Sequence, residues 1–203
     1  MICGMTTDYA DIYDRIIAEH PGYNSAEGSP GLAALLQHRD RLRTITGCSL
    51  DVGCGVGFVV WMLQSPLFRL VSYGCDVSHN AVEGARSRLG VPDADDRILL
   101  IDTDGRLPFD SHSFDLVTCF DVLEHLDEAD LPRLRDEMLR VRKPSGVALY
   151  TVSLRSAASH DHYGDNLHRT VRPIQWWIDL LEPDETIIEH HLQQATMWFG
   201  PRG

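Results

Sequence analysis

Three glycines at alternate positions, in the run Leu50-Asp51-Val52-Gly53-Cys54-Gly55-Val56-Gly57, end a short apolar segment and open a helical one. That spacing asks for a tight strand-to-helix turn whose backbone a ligand approaches more closely than any Cβ permits. Gly53, Cys54, Gly55 and Gly57 are therefore cofactor-binding candidates at the carboxyl end of a first strand. From Gly47 onward, short apolar runs alternate with helical segments: residues 49–52, 58–65, 70–76, 78–89, 97–101, 114–120, 128–141 and 147–152. Alternation of this kind marks βαβ units and a parallel sheet, an α/β architecture. Ser78 reads as a helix N-cap, and Lys143-Pro144-Ser145-Gly146 as a stop after the helix that ends near Val141.

Ahead of this core, Tyr9, Ile12, Tyr13, Ile16 and Ile17 recur at the spacing of one apolar helix face, with Pro21-Gly22 as the stop. A second amphipathic stretch carries Leu32, Leu35, Leu36 and Leu42. The two helices are expected to cover the site, with Tyr9, Tyr13 and Tyr23 as candidate lid contacts and core packing as the commoner fate of Tyr9 and Tyr13. The tail predicts a helix over 173–181 and a hairpin from 186–191 and 195–199. A chain of 203 residues fits one domain. Its parts are a helical cover (1–46), a cofactor-binding core (47–152) and an acceptor-side loop, helix and hairpin (153–203).

Eighteen Lys and Arg against thirty Asp and Glu leave a net charge of −12, which repels phosphate backbones and makes nucleic acid an unlikely partner. The Arg39, Arg41, Arg43 run and the group Arg133, Arg135, Arg140, Arg142 are interleaved with acids and read as solvated helix faces. The five cysteines hold no CxxC pair, no basic apolar leader opens the chain, and no run of about eighteen apolar residues follows. A cytoplasmic protein without a membrane partner is expected, its oligomeric state left open.

The chemistry of the ligand is constrained next. A dinucleotide fingerprint needs glycine at position 58, where this chain has Phe58. Asp51 would repel a pyrophosphate and suits an ammonium or sulfonium charge instead. Asp76, about twenty residues past Gly57, is placed to accept from ribose hydroxyls, a spacing that also fits a nicotinamide dinucleotide.

Residues 50–57, Tyr73-Gly74-Cys75-Asp76-Val77-Ser78, Leu107-Pro108-Phe109 with Ser113-Phe114-Asp115-Leu116-Val117, and Val122-Leu123-Glu124-His125-Leu126 together resemble the successive motifs of class I S-adenosylmethionine-dependent methyltransferases. The resemblance implies that family's Rossmann-like, seven-stranded, mostly parallel sheet of order 3-2-1-4-5-7-6, with helices on both faces and a reversed last strand. It implies S-adenosyl-L-methionine as cofactor and S-adenosyl-L-homocysteine as product. Asp51 would serve the methionine end, the glycines would pass under the nucleoside, and Asp76 with Val77 would hold the ribose. Asp102 and the Thr103 backbone would meet the adenine, with Asp104 as a second candidate, and Phe120 would adjoin the methyl group.

Methyl transfer is an in-line displacement that needs alignment, exclusion of water and, for a hydroxyl acceptor, a group to take the proton. Histidine suits that task. His125, after the fourth strand, and His168, in the long segment 153–172, are the candidate bases, with His160 and His162 as loop histidines. One of Trp176 and Trp177 is expected in the core and the other as a wall of the acceptor pocket. The set Asp121, Glu124, His125 and His168 also resembles the divalent-metal site of small-RNA 2′-O-methyltransferases and of some quinone-ring O-methyltransferases, with Asp121 where those have Glu. Acid-histidine clusters are commonly hydrogen-bond networks, and no metal is assigned. The expected function is methyl transfer to a small-molecule acceptor, O-methylation of a metabolite or sugar being favoured. The alternatives are a metal-assisted methyltransferase of a nucleic acid terminus and a non-catalytic cofactor-binding regulator.

Overall fold

A computed structural model gives the fold, and it describes residues 7–20, 25–27, 29–102 and 104–201. Two helical segments come first. Helix α1 (Tyr9–Glu19) begins where the Asp8 side chain accepts from the Asp11 N–H, and it buries Tyr9, Ile12 and Ile16. The second amphipathic stretch divides at His38 into α2 (Pro30–Gln37), capped by Ser29, and the single turn α3 (Arg39–Leu42). Pro21, Gly22 and Tyr23, expected as stop and lid contact, lie outside the described residues, as does Cys3.

The core then alternates as the sequence predicts: β1 (Cys48–Val52), α4 (Phe58–Leu63), β2 (Val71–Asp76), α5 (His79–Leu89), α6 (Ala94–Arg97), β3 (Ile98–Leu100), β4 (Phe114–Phe120), α7 (Leu131–Val141), β5 (Arg142–Ser153), α8 (Ile174–Leu181), β6 (Glu185–Glu189) and β7 (Gln194–Phe199). The seven strands form one sheet of order β3-β2-β1-β4-β5-β7-β6. β3, β2, β1, β4 and β5 pair in parallel, whereas β7 runs antiparallel to both β5 and β6. Parallel strands buried on both faces read as apolar runs, and Leu50, Val52, Leu116, Val117, Ala148 and Leu149 are almost wholly shielded.

Ser78 caps α5 as expected, accepting from the Ala81 N–H at 3.1 Å. One boundary differs. α7 does end at Val141, but residues 143–146 do not stand apart as a stop; the extended chain of β5 already starts at Arg142. The pairing with β4 jumps from Phe114–Arg142 to Leu116–Val147, so the extra residues bulge out of the ladder. No helix among the described residues is long and apolar enough to cross a membrane.

Candidate active site

The turn after β1 is tied to β2 by its backbone: the Gly53 and Cys54 N–H groups both donate to the Cys75 carbonyl, at 2.8 and 3.0 Å. Two of its glycines do different work. Gly55 has φ +51, and a Cβ there would meet nothing within 4 Å, so its bare face stands beside open space. Gly57 has φ +85, and a Cβ there would sit 2.8 Å from the Ala85 Cα of α5. Gly57 therefore permits close helix packing and does not line the cavity, unlike the cofactor contact expected of it.

Above the turn lies a cavity of about 450 Å³, within the range of small-molecule sites. Of the expected residues it brings together Asp51, Gly53, Cys54, Gly55, Asp76, Val77, Phe120, His125 and His168. Tyr9, Tyr13 and Ile17 of α1 close one side and Gly31 of α2 another. Gly31 was not legible as a site residue; a Cβ there would stand 2.9 Å from the Phe120 ring, so the helix can seat against that ring only without a side chain.

Other expectations fall outside the cavity. Asp102 is exposed, its carbonyl accepting from the Gly105 N–H at 2.8 Å, and it is Ile101 and Gly105 that reach the cavity wall. Asp104 accepts from the Arg106 N–H in an Asx turn and lies 4.0 Å from Arg133. Thr103 lies outside the described residues. Neither tryptophan walls the pocket: Trp177 is fully buried in the main core and Trp176 packs against the same cluster. His162 pairs with Asp11 of α1 at 3.1 Å, and His160 bridges to Asn166.

Two buried acids flank the glycine turn. Asp51 is 3% exposed, its Oδ1 accepting from the Thr118 hydroxyl at 2.6 Å, and burial pushes its carboxyl up to about 7. Asp76 accepts from the Gly55 N–H at 2.9 Å and from the Ser78 N–H at 3.0 Å; burial raises its pKa while these donors oppose the rise. Two buried carboxyls without a cation between them suit a ligand that brings a positive charge. The open face of Gly55, the Asp76 carboxylate at the end of β2 and the Asp51 carboxyl together fit a sulfonium nucleoside with an ammonium group. Burial also holds Cys54, Cys75 and Cys119 high, so they remain thiols.

At the far end of the cavity a single 3₁₀ turn, Leu123–His125, presents His125. His125 Nδ1 lies 2.9 Å from the Leu167 carbonyl oxygen, and His168 Nδ1 bonds the Arg155 carbonyl oxygen. A carbonyl only accepts, so each Nδ1 carries a hydrogen and Nε2 is left as the other ring nitrogen of each imidazole. The rings meet edge to face with centroids 4.8 Å apart. Burial, then the charge of His168, pushes His125 down to about 4, so it is neutral at physiological pH.

Beneath the pair, Glu124 is fully buried; its Oε1 accepts from the Ser153 N–H, its Oε2 has no partner, and burial raises its pKa well above the usual range. Single ligand atoms of Glu124, His125 and His168 all lie within 4.8 Å of one another. Asp121, the fourth member of the expected set, is engaged elsewhere: it takes φ +51 and accepts from Thr151 and from Gln194 of β7, at 2.7 Å each.

Known proteins fit this picture. A family model described as a methyltransferase domain matches residues 50–150. The chain is 28% identical over 105 residues to the tRNA N(3)-methylcytidine methyltransferase of Drosophila melanogaster, a match covering 49% of this chain and 32% of that protein. It is 29% identical over 115 residues to a ubiquinone biosynthesis O-methyltransferase of Neisseria meningitidis, covering 56% and 47%. The matches thus span less than half of either relative's length. Among solved structures, phosphoethanolamine N-methyltransferase 2 of Haemonchus contortus, in complex with phosphomonomethylethanolamine and S-adenosylhomocysteine, superposes with a TM-score of 0.65 at 21% identity, over 87% of this chain and 44% of that one. Because the matched residues 50–150 contain the glycine turn, both flanking acids and the turn that carries His125, the chain belongs to the class I methyltransferases that use S-adenosylmethionine as cofactor.

Proposed function

We propose that the protein transfers a methyl group to a hydroxyl of a small molecule bound between Phe120 and the two histidines. The observation that carries this reading is the pinning of both imidazoles at Nδ1 by backbone carbonyls, on residues that line the same cavity as the cofactor turn. S-adenosylmethionine, when bound, supplies the methyl group. The chain's own residues orient and dehydrate the acceptor. His125, kept neutral by burial, packs edge to face against His168 and holds that ring in place. His168 takes the hydroxyl proton on Nε2 as the acceptor oxygen gains the methyl group. Helix α1 and Phe120 shut out water that would compete for alignment. Small-molecule acceptors are favoured over nucleic acid by the −12 charge and by the enclosure of the cavity.

The test is methyl-labelled S-adenosylmethionine incubated with a metabolite extract and, separately, with total RNA. Label in a small-molecule fraction, lowered about 10²-fold or more by His168→Ala with S-adenosylhomocysteine affinity unchanged, is the expected result. Label only in RNA refutes the acceptor class, and binding without turnover in either refutes catalysis.

One observation favours a second reading. The Oε2 of buried Glu124, without a hydrogen-bond partner among the described residues, beside the imidazoles of His125 and His168 is the donor set of a divalent cation. A cation there would supply Lewis acidity toward the acceptor. Activity lost to a chelator and restored by added magnesium or manganese supports this version; full activity after exhaustive chelation removes it.

A further inference from the structure

We propose that Arg155 is the specificity-determining residue of this site and binds an anionic group, a carboxylate or a phosphate, on the methyl acceptor. The inference rests on the reading of the cavity as an acceptor site, and deepens it by naming the acceptor's chemical class.

Arg155 lies in the segment after β5 and lines the same cavity as His125 and His168. Its backbone is fixed there, since its carbonyl takes the His168 Nδ1–H and the Ser153 hydroxyl. Its side chain is not: among the described residues no carboxylate or carbonyl bonds or pairs with the guanidinium. Neighbouring arginines differ. Arg169 pairs with Asp161 at 2.7 Å and Arg172 with Glu128 at 2.5 Å. Burial raises the pKa of Asp121 in the same cavity, and its hydrogen bonds and the charges of His168 and Arg155 oppose that rise. Arg155 is exposed and stands at the rim of the cavity it lines. Asp121 does not pair with Arg155 among the described residues; its oxygens accept from Thr151 and Gln194.

A planar, permanently charged five-donor group facing a site without a protein partner is matched by the paired oxygens of a carboxylate or phosphate. In a chain of net charge −12, such a cation is out of keeping with the bulk field and acts locally. Beside Arg155 the cavity lining is largely apolar, with Ala157, Ala158 and Leu167 facing Tyr13 and Ile17 of α1. The acceptor that fits has an apolar body, a hydroxyl reaching the histidines and an anionic head on Arg155.

The experiment titrates benzoate, phenyl phosphate and uncharged benzamide into the S-adenosylhomocysteine-loaded protein, following amide chemical shifts. One or both anions should bind at least about tenfold more tightly than benzamide. Arg155→Gln should erase that advantage while leaving benzamide and S-adenosylhomocysteine binding unchanged; Arg155→Lys should keep part of it. Arg106→Gln, on an exposed shelf outside the cavity, should change nothing. Preference for benzoate alone identifies a carboxylate, and preference for phenyl phosphate alone a phosphate. Equal affinity for charged and neutral probes, no binding of either anion, or a preference that survives Arg155→Gln overturns the proposal. A wild-type chain that fails to bind S-adenosylhomocysteine sinks the cofactor reading separately, and the same titration of the free chain still decides the role of Arg155.

Discussion

The carboxylate of Asp14 accepts a 2.6 Å hydrogen bond from the Ser78 hydroxyl and a 3.1 Å bond from the Asn80 N–H, while its own carbonyl takes the Asn80 amide. A residue of the covering helix α1 thereby sits at the N-terminus of α5, where a negative charge is favoured by the aligned peptide dipoles. The same serine follows Asp76 by two positions, so the clasp and the ribose-side acid share one turn of chain.

Asp14→Ala should loosen this clasp without touching the glycine turn. We expect S-adenosylhomocysteine affinity to fall about fivefold, equivalent to roughly 1 kcal/mol, measured by calorimetry. The loss should come mainly as faster dissociation. An unchanged dissociation rate would show that α1 does not gate the cavity.

The two glycines of differing role separate binding from stability. Gly55→Ala places a methyl group in open space at a strained φ, so it should cost about 1 kcal/mol of stability and a larger share of cofactor affinity. Gly57→Ala drives a methyl group to 2.8 Å from the Ala85 backbone and should lower the melting temperature more than Gly55→Ala does. Thermal unfolding alongside calorimetry checks the ordering; a reversed ordering would contradict the assignment of Gly57 to packing.

Asp51 links the stability of the fold to pH. Its folded pKa of about 7 lies above its unfolded value, so between those values the folded state holds the extra proton. That contribution is complete at acid pH and is lost as pH rises through 7. Relative to Asp51→Asn, which cannot ionise, the wild-type chain should lose about 2 kcal/mol between pH 5 and pH 8, read from denaturant midpoints at each pH. A difference that stays flat with pH would mean that Asp51 is ionised throughout.

Tyr9 anchors the other end of the cover. Its hydroxyl donates to Asp130 at 2.8 Å and accepts from the Asp127 N–H at 2.9 Å, and burial keeps the phenol strongly protonated. Tyr9→Phe removes one donor from the buried Asp130 carboxylate and the acceptor of the Asp127 N–H, and should destabilise the fold by about 1–3 kcal/mol, a fall of several degrees in melting temperature.

The strands and the cofactor turn were legible in the sequence because they obey local rules. Alternating apolar runs fix the strands, and only glycine satisfies the backbone at Gly53 and Gly55. Asp51 and Asp76 were legible because they sit at strand ends at fixed spacing from those glycines. What escaped depends on contacts distant along the chain. Trp176 and Trp177 are adjacent on α8, yet both meet the main core and neither lines the cavity. Asp102 has the composition of an adenine contact, but the turn closed by Gly105 leaves it in solvent. The separation of Asp121 from Glu124 and the two histidines follows from Gln194, seventy-three positions away. The same holds for Arg155, whose freedom appears only once its neighbours have found their own acids.

The reversal of β7 brings its first residue, Gln194, to the end of the sheet where β4 delivers Asp121. A shortened chain that stopped after α8 would retain the glycines, both flanking acids and both imidazoles. It would still leave a nearly enclosed carboxylate, in a left-handed backbone conformation, with its amide donor gone. Grafting this pocket onto another scaffold, or trimming it to a minimal version, must therefore carry the C-terminal hairpin along as an inseparable part of the transplant.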